Sequence, residues 1–310
     1  MLDLVVLKET THVVDIKNVL DEALTNARVM YDWINLSVLQ WMEHLQWWGK
    51  KFQFTKVHLL PYLVVLWKGP MYHGRDGLGD VPVPNAPGLD HLQKEHAVIA
   101  MLRIINEKPG QISLVATGPL TNLALAVKLD PTFPQKLKNM FIMGGNEESR
   151  GNVTVCGEFN FATDPEAAYV VLNEFTCPTY IATWEFTCRN SLSWEFYHEW
   201  VNQNTKKAKF MEKISEHSIK FTDPKHENTS NIFWTSGFVS CDSYAMAAAI
   251  DESFVTKAIE TAVSVELNGS LTRGMMVMDM AGLLKKKNKA FVINKCDLEK
   301  FKGLLIAALK

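Results

Sequence analysis

Short apolar runs rich in β-branched residues recur along this chain, each ended by glycine or a polar residue and each followed by a helix-like stretch. Val13 to Ile16, Ile112 to Ala116, Met140 to Met143 and Thr179 to Ala182 all have this form. An uninterrupted apolar run is what a strand buried on both faces requires, and the intervening helices supply the cover. The pattern therefore predicts an α/β fold: a mostly parallel β-sheet with helices on both faces. Ala290 to Asn294 reads as a later strand and Asp297 to Leu309 as a closing amphipathic helix. With 310 residues, 47% of them apolar, and no linker-like shift in composition, residues 1–310 read as one domain. In such sheets ligands bind at the carboxyl ends of the strands. Asp15, Thr117, Met143 and Glu185 all fall at or just past predicted strand ends, so their distance apart in sequence does not keep them from one site.

The segment from Asn152 to Ala168 adds chemistry to that frame. Asp164 is a good N-cap and Pro165 a good first helical residue, which puts Glu158 and Asn160 on the loop that feeds the helix. Capping explains Asp164 but not the two polar residues upstream. Alternating acceptors and donors on a short loop suit a polyhydroxylated ligand such as a sugar. Further on, Asp242 is placed to cap an Ala-rich helix over residues 243–250.

Four more segments stand in order around this one: Tyr72-His-Gly-Arg-Asp-Gly-Leu-Gly-Asp80, Leu114 to Ala126 with its Thr117-Gly-Pro-Leu-Thr-Asn122 core, Met140-Phe-Ile-Met-Gly-Gly-Asn146, and Cys241-Asp242-Ser-Tyr-Ala-Met-Ala-Ala-Ala-Ile-Asp251. Together with the 152–168 segment they resemble the calcium-dependent nucleoside hydrolases, closely so from about residue 70 onward. The amino-terminal part departs from that family. Its Asp-x-Asp-x-Gly-x-Asp-Asp cluster corresponds here to Asp15-Ile-Lys17-Asn-Val19-Leu-Asp21-Glu22, so that Lys17, Val19 and Glu22 replace Asp, Gly and Asp. Residues 25–68 carry little family pattern, and a Trp-rich run around Trp41, Trp47 and Trp48 stands where a Gly-Asn segment is usual.

The resemblance implies a nucleoside N-ribohydrolase that releases base and ribose through an oxocarbenium-like state. It implies Ca2+ held by Asp15, Glu22, the Thr117 carbonyl and Asp242, and ribose held by Asp21, Asn152, Glu158, Asn160 and Asp242. His73 would sit on a glycine-rich loop over the site, with a solvated turn as the competing reading. Trp184 and Glu185 would line the base pocket, although a large residue at a strand end is also ordinary core. Cys241 stands where many relatives carry the histidine that protonates the leaving base. A small residue packed beside a helix start explains it equally. Lys17 occupies the position of the general base. An ammonium offers no acceptor and repels a neighbouring metal ion. Three readings stay open: a hydrolase, a relative that binds nucleoside or ribose with catalysis impaired, and a scaffold that keeps only the fold.

Composition excludes other classes. A net charge of −2, with both signs scattered along the chain, gives no basis for binding nucleic acid or an anionic membrane. Five cysteines without a CxxC pair predict free thiols, and the opening residues lack the basic region of a signal peptide, so a cytoplasmic protein is expected. The longest apolar run, near Leu59 to Trp67, is too short to span a bilayer and contains Pro61. No Gly-x-Gly-x-x-Gly follows the first predicted strand, which disfavours a dinucleotide-dependent oxidoreductase. The resemblance makes a homo-oligomer the expected assembly.

Overall fold

The computed structural model describes residues 95–222 and 237–310, together with Tyr72, Gly74, residues 79–81 and three short strands nearer the amino terminus. The strands are β1 (Val5–Glu9), β2 (Arg28–Asp32), β3 (Lys56–Val57), β4 (Ile112–Ala116), β5 (Leu137–Met143), β6 (Thr179–Ala182), β7 (Val255–Val265), β8 (Met276–Asp279) and β9 (Ala290–Cys296). They form one sheet in the order β3-β2-β1-β4-β5-β6-β9-β7-β8. Its centre, β4-β5-β6-β9, is parallel throughout, as the apolar runs predict. The antiparallel pairings of β1 with β4 and of β7 with β9 flank that centre.

Alternation along the central strands divides the interior into two cores. Leu114, Met140, Ile142, Ile181 and Val292 face one side, under helices α1 (Ala97–Glu107), α2 (Thr121–Leu129) and α4 (Pro165–Glu174). Val115, Phe141, Met143, Ala182 and Ile293 face the other, against α5 (Trp184–Arg189), α6 (Trp194–Val201), α8 (Cys241–Ile250) and α9 (Leu298–Ala308). Each fully buried aliphatic or aromatic side chain contributes roughly 1.5–3 kcal/mol, so the two-sided cover is what makes unbroken apolar strands stable. Two further helices add to these cores: α3 (Phe159–Thr163) places Phe161 in the first, and α7 (Lys206–Thr222) places Ala208 in the second. No helix among the described residues is long and apolar enough to cross a membrane.

Local expectations were met where a side chain caps a helix. Asp164 accepts from the Ala167 amide at 3.0 Å with Pro165 at the first helical position, and Asp297 accepts from the Lys300 amide at 2.9 Å. Two details differ. Helix α8 begins at Cys241 with Ser240 as its N-cap, so Asp242 lies in the first turn instead of capping from outside. A carboxylate there still faces the positive end of the helix dipole. Glu158 and Asn160 are not on an open loop: Glu158 caps the short helix α3 and Asn160 lies within it. The neighbour of β4 is β1, paired antiparallel with Val5 opposite Ala116 and Glu9 opposite Ile112. The expected strand at residues 13–16 lies outside the described residues.

Candidate active site

The carboxyl ends of β4, β5 and β6 meet the first turns of α3, α5 and α8 at one end of the sheet. Parallel register brings Met143 beside Ala182, and the crossing is fastened by backbone bonds from Gly144 N to Ala182 O at 3.1 Å and from Trp184 N to Gly145 O at 3.0 Å. Gly145 adopts φ +67°, and a Cβ there would meet the Phe161 ring at 2.9 Å, so glycine is required where the backbone turns into the site.

Glu158, 2% exposed, organises this corner. Its carboxylate accepts from Gly145 N at 2.8 Å, Asn160 N at 2.8 Å and Phe161 N at 3.2 Å. Asn160 donates its side-chain amide to the Met143 carbonyl at 3.0 Å and to the Thr117 carbonyl at 3.3 Å, which ties α3 to the ends of β4 and β5. Asn152 accepts from Phe159 N at 2.8 Å. These bonds give the three polar residues structural work the sequence did not reveal, and they also hold them together at the strand ends.

Asp242 and Cys241 face the same corner from the start of α8. Burial pushes the Glu158 carboxyl up to about 7 against the pull of its three amide bonds, with the Asp242 charge adding to the rise. Asp242 is likewise pushed up to about 7 by desolvation, although its side chain keeps exposed surface. The Cys241 thiol is raised well above its ordinary value, first by burial and then by Asp242 and Cys188. Thr187 of α5 places its hydroxyl 2.8 Å from the Trp184 carbonyl and 3.8 Å from the Cys241 sulfur.

Tyr72 joins the same group, and sequence reasoning passed over it in favour of its neighbour His73. Its hydroxyl is hydrogen-bonded to Ser218 of α7, and its pKa is raised first by burial and then by the nearby Cys241, Asp242 and Cys188. Gly79 packs on the same helix, since a Cβ there would meet the Ile214 carbonyl oxygen at 2.8 Å. Trp184 is 2% exposed and Glu185 is fully buried, its oxygens turned toward backbone amides of residues 147–150. The structure thus gathers Thr117, Asn152, Glu158, Asn160, Cys241 and Asp242. Asp15, Lys17, Asp21, Glu22 and His73 lie outside the described residues. No group of three metal-ligating side chains occurs among the described residues. All five cysteines are free.

The raised carboxyl of Glu158 fixes the sign of a pH effect. In the unfolded chain it ionises near its ordinary value of 4.5, and in the folded chain only near 7. Between those values the unfolded state holds fewer protons, so stability present at low pH is lost as pH rises through that window. The loss is roughly 1.4 kcal/mol per pH unit at most for one group. Thermal melts of the metal-free protein are expected to fall in Tm from pH 5 toward 7, with a flatter slope in Glu158→Gln. Equal slopes for the two proteins would show that Glu158 is not the group responsible.

With this geometry in place, likenesses to known proteins bear on what the site does. The sequence profile of the inosine-uridine preferring nucleoside hydrolases matches residues 40–303. An inosine-uridine preferring nucleoside hydrolase of Leishmania major is 34% identical over 240 residues, covering 77% of this chain and 72% of that protein. Its counterpart in Crithidia fasciculata is 33% identical over 239 residues, covering 77% and 72%. Among solved structures, an inosine-guanosine nucleoside hydrolase superposes with a TM-score of 0.79 at 28% identity, covering 95% of each chain.

Proposed function

Because the chain belongs to the inosine-uridine preferring nucleoside hydrolase family, we propose that it cleaves the N-glycosidic bond of purine or pyrimidine ribonucleosides, releasing base and ribose. The observation that carries this reading is the meeting of Asp242, Glu158, Asn160 and the Thr117 carbonyl at the carboxyl ends of the strands. Residues 1–310 are read as a single domain, acting in the cytoplasm as a homo-oligomer, and the free thiols support a reducing compartment.

Water adds to the anomeric carbon as the bond to the base breaks, so positive charge develops on the sugar. Carboxylates facing the ring stabilise that charge more than they stabilise the substrate. Asp242 and Glu158 supply them, and each can accept from ribose hydroxyls. The Asn160 amide nitrogen is engaged with two carbonyls, which leaves its oxygen as the acceptor for a third hydroxyl. Asn152 and Asp21 complete the sugar contacts. Trp184 and His73 are assigned to the side of the leaving base, and Cys241 lies beside it. The thiol is half-buried and its pKa is raised well above the ordinary value, first by desolvation, which makes it a poor proton donor to that base.

Ca2+ fits the donor chemistry. The Asp242 carboxylate and the neutral Thr117 carbonyl are hard oxygen donors of the kind such a cation takes. Asp15, Glu22, Thr117 and Asp242 would hold the ion. When bound it would orient the attacking water and lower its pKa toward neutrality. With Lys17 in place of a carboxylate, affinity for the ion is expected to be weak, because ligand charge count is a main lever on calcium binding.

The second reading, a protein that binds nucleoside or ribose without turning it over, rests on Lys17. Calorimetric titration with ribose, inosine and uridine, with and without calcium, alongside an assay for released base, separates the two. Binding with base release supports the hydrolase, and binding alone supports the second reading. No binding at millimolar ligand would sink both.

A further inference from the structure

We propose that Glu185 is a positioning residue that fixes the turn at 147–150, and through it sets where the loop 151–157 with the sugar-facing Asn152 stands, an inference that rests on the nucleoside reading above. Glu185 lies in the first turn of α5, just past β6, and is fully buried. One carboxylate oxygen accepts from Glu148 N at 2.9 Å and Arg150 N at 3.1 Å, and the other from Glu147 N at 2.9 Å. Three convergent amides satisfy the hydrogen-bonding capacity of this buried carboxylate. With both oxygens turned to backbone, Glu185 has this positioning role available beside the base-pocket role expected from its place after β6.

Two observations show the turn is held from outside itself. Ser149 sits in the left-handed region at φ +60°, a conformation that a non-glycine residue keeps only where its surroundings impose it. One helical turn after Glu185, Arg189 reaches back over the same segment and pairs with the side chains of Glu147 and Glu148. Helix α5 therefore grips the turn twice, by a carboxylate beneath and a guanidinium above.

The loop beyond the turn is tied mainly to itself. Gly151 N bonds Val155 O at 3.1 Å, Asn152 N bonds Gly157 O at 3.1 Å, and Asn152 accepts from Phe159 N at 2.8 Å. A Cβ at Gly151 would stand 2.0 Å from the Thr154 carbonyl oxygen, so the loop is closed tightly. A compact loop moves as a piece, and its position is set where it is anchored: at Asn146, which donates to the Cys156 carbonyl at 2.7 Å, and at the 147–150 turn. Loosening the turn displaces Asn152, while Glu158 and Asn160 keep their own ties to Gly145, Met143 and Thr117.

The test is Glu185→Gln, which keeps the shape but turns an amide NH2 toward a backbone N–H. Losing one charge-assisted bond of this kind corresponds to about a tenfold change in an equilibrium. The dissociation constant for ribose by calorimetry and KM for inosine are expected to rise about tenfold, with kcat reduced less than threefold and hypoxanthine affinity unchanged. The amides of Glu147, Glu148 and Arg150 should exchange with deuterium faster than in wild type. A general structural defect would lower Tm without this split between sugar and base. Unchanged ribose affinity and KM in the folded variant would overturn the proposal, as would undiminished protection of the three amides. If Glu185→Gln does not fold, Arg189→Met carries the test, with about a threefold loss of ribose affinity expected and no change overturning the proposal. If wild type neither binds ribose nor cleaves nucleosides, the nucleoside reading fails on its own, and the amide exchange still decides whether Glu185 fixes the turn.

Discussion

Asp242→Asn is expected to lower kcat/KM for inosine or uridine by at least about 10³-fold while leaving the fold intact. Removing one charge from a preorganised electrostatic site costs about 10² to 10³ in rate, and here the same carboxylate is assigned to both the ion and the ribose. The substitution is isosteric, and Asp242 sits in the first turn of α8, where an amide is tolerated. Because desolvation pushes Asp242 up to about 7, its ionised form is a burden on the metal-free protein above that pH. Asparagine removes the burden. Activity and stability should therefore part company: without calcium at pH 8, Tm of the variant should equal or exceed that of wild type. A variant that loses activity and melts well below wild type would mark Asp242 as a structural residue, and one that keeps full activity would remove it from the site.

The parts of the fold legible in the sequence are those whose physics is local. Ile112–Ala116 and Thr179–Ala182 coincide with strands β4 and β6 because a short apolar run closed by glycine or a polar residue has few other uses. Asp164 followed by Pro165 marks the start of α4 because cap and first residue are adjacent. Strand β7 has no counterpart in the sequence reading. Its apolar residues Val255, Ala258, Ile259, Ala262 and Val263 follow the spacing of a helix, and two register shifts against β9 break the alternation a strand would show. The site divides in the same way. Motif order brought forward Glu158, Asn160, Cys241 and Asp242, but the partners of Glu158 and Glu185 are backbone amides, which any residue supplies and no motif records. Tyr72 was hidden by the histidine beside it. Its contact with Ser218 joins segments nearly half the chain apart, and only the folded arrangement shows it.

Lys17→Asp is expected to raise calcium-dependent release of base from inosine or uridine by about 10²-fold or more over wild type, the scale of a restored general base. A lysine ammonium has three donors and no acceptor, so it can neither take a proton from water nor ligate a cation. Burial lowers a lysine pKa by up to about 3–5 units, but Asp15, Asp21 and Glu22 are close in sequence and favour the charged form. The ammonium would then repel an ion held, as proposed, by Asp242 and Thr117. Aspartate at this position supplies a ligand and a base together. Recovery should be partial, because Glu22 presents its carboxylate on a longer side chain and Val19 brings a Cβ where the family has glycine. Adding Val19→Gly and Glu22→Asp should carry activity further, with calcium affinity by calorimetry rising in step. A triple variant that folds and binds calcium but releases no base would move the lesion out of the 15–22 cluster, to residues 25–68, and the non-hydrolytic reading would then take precedence.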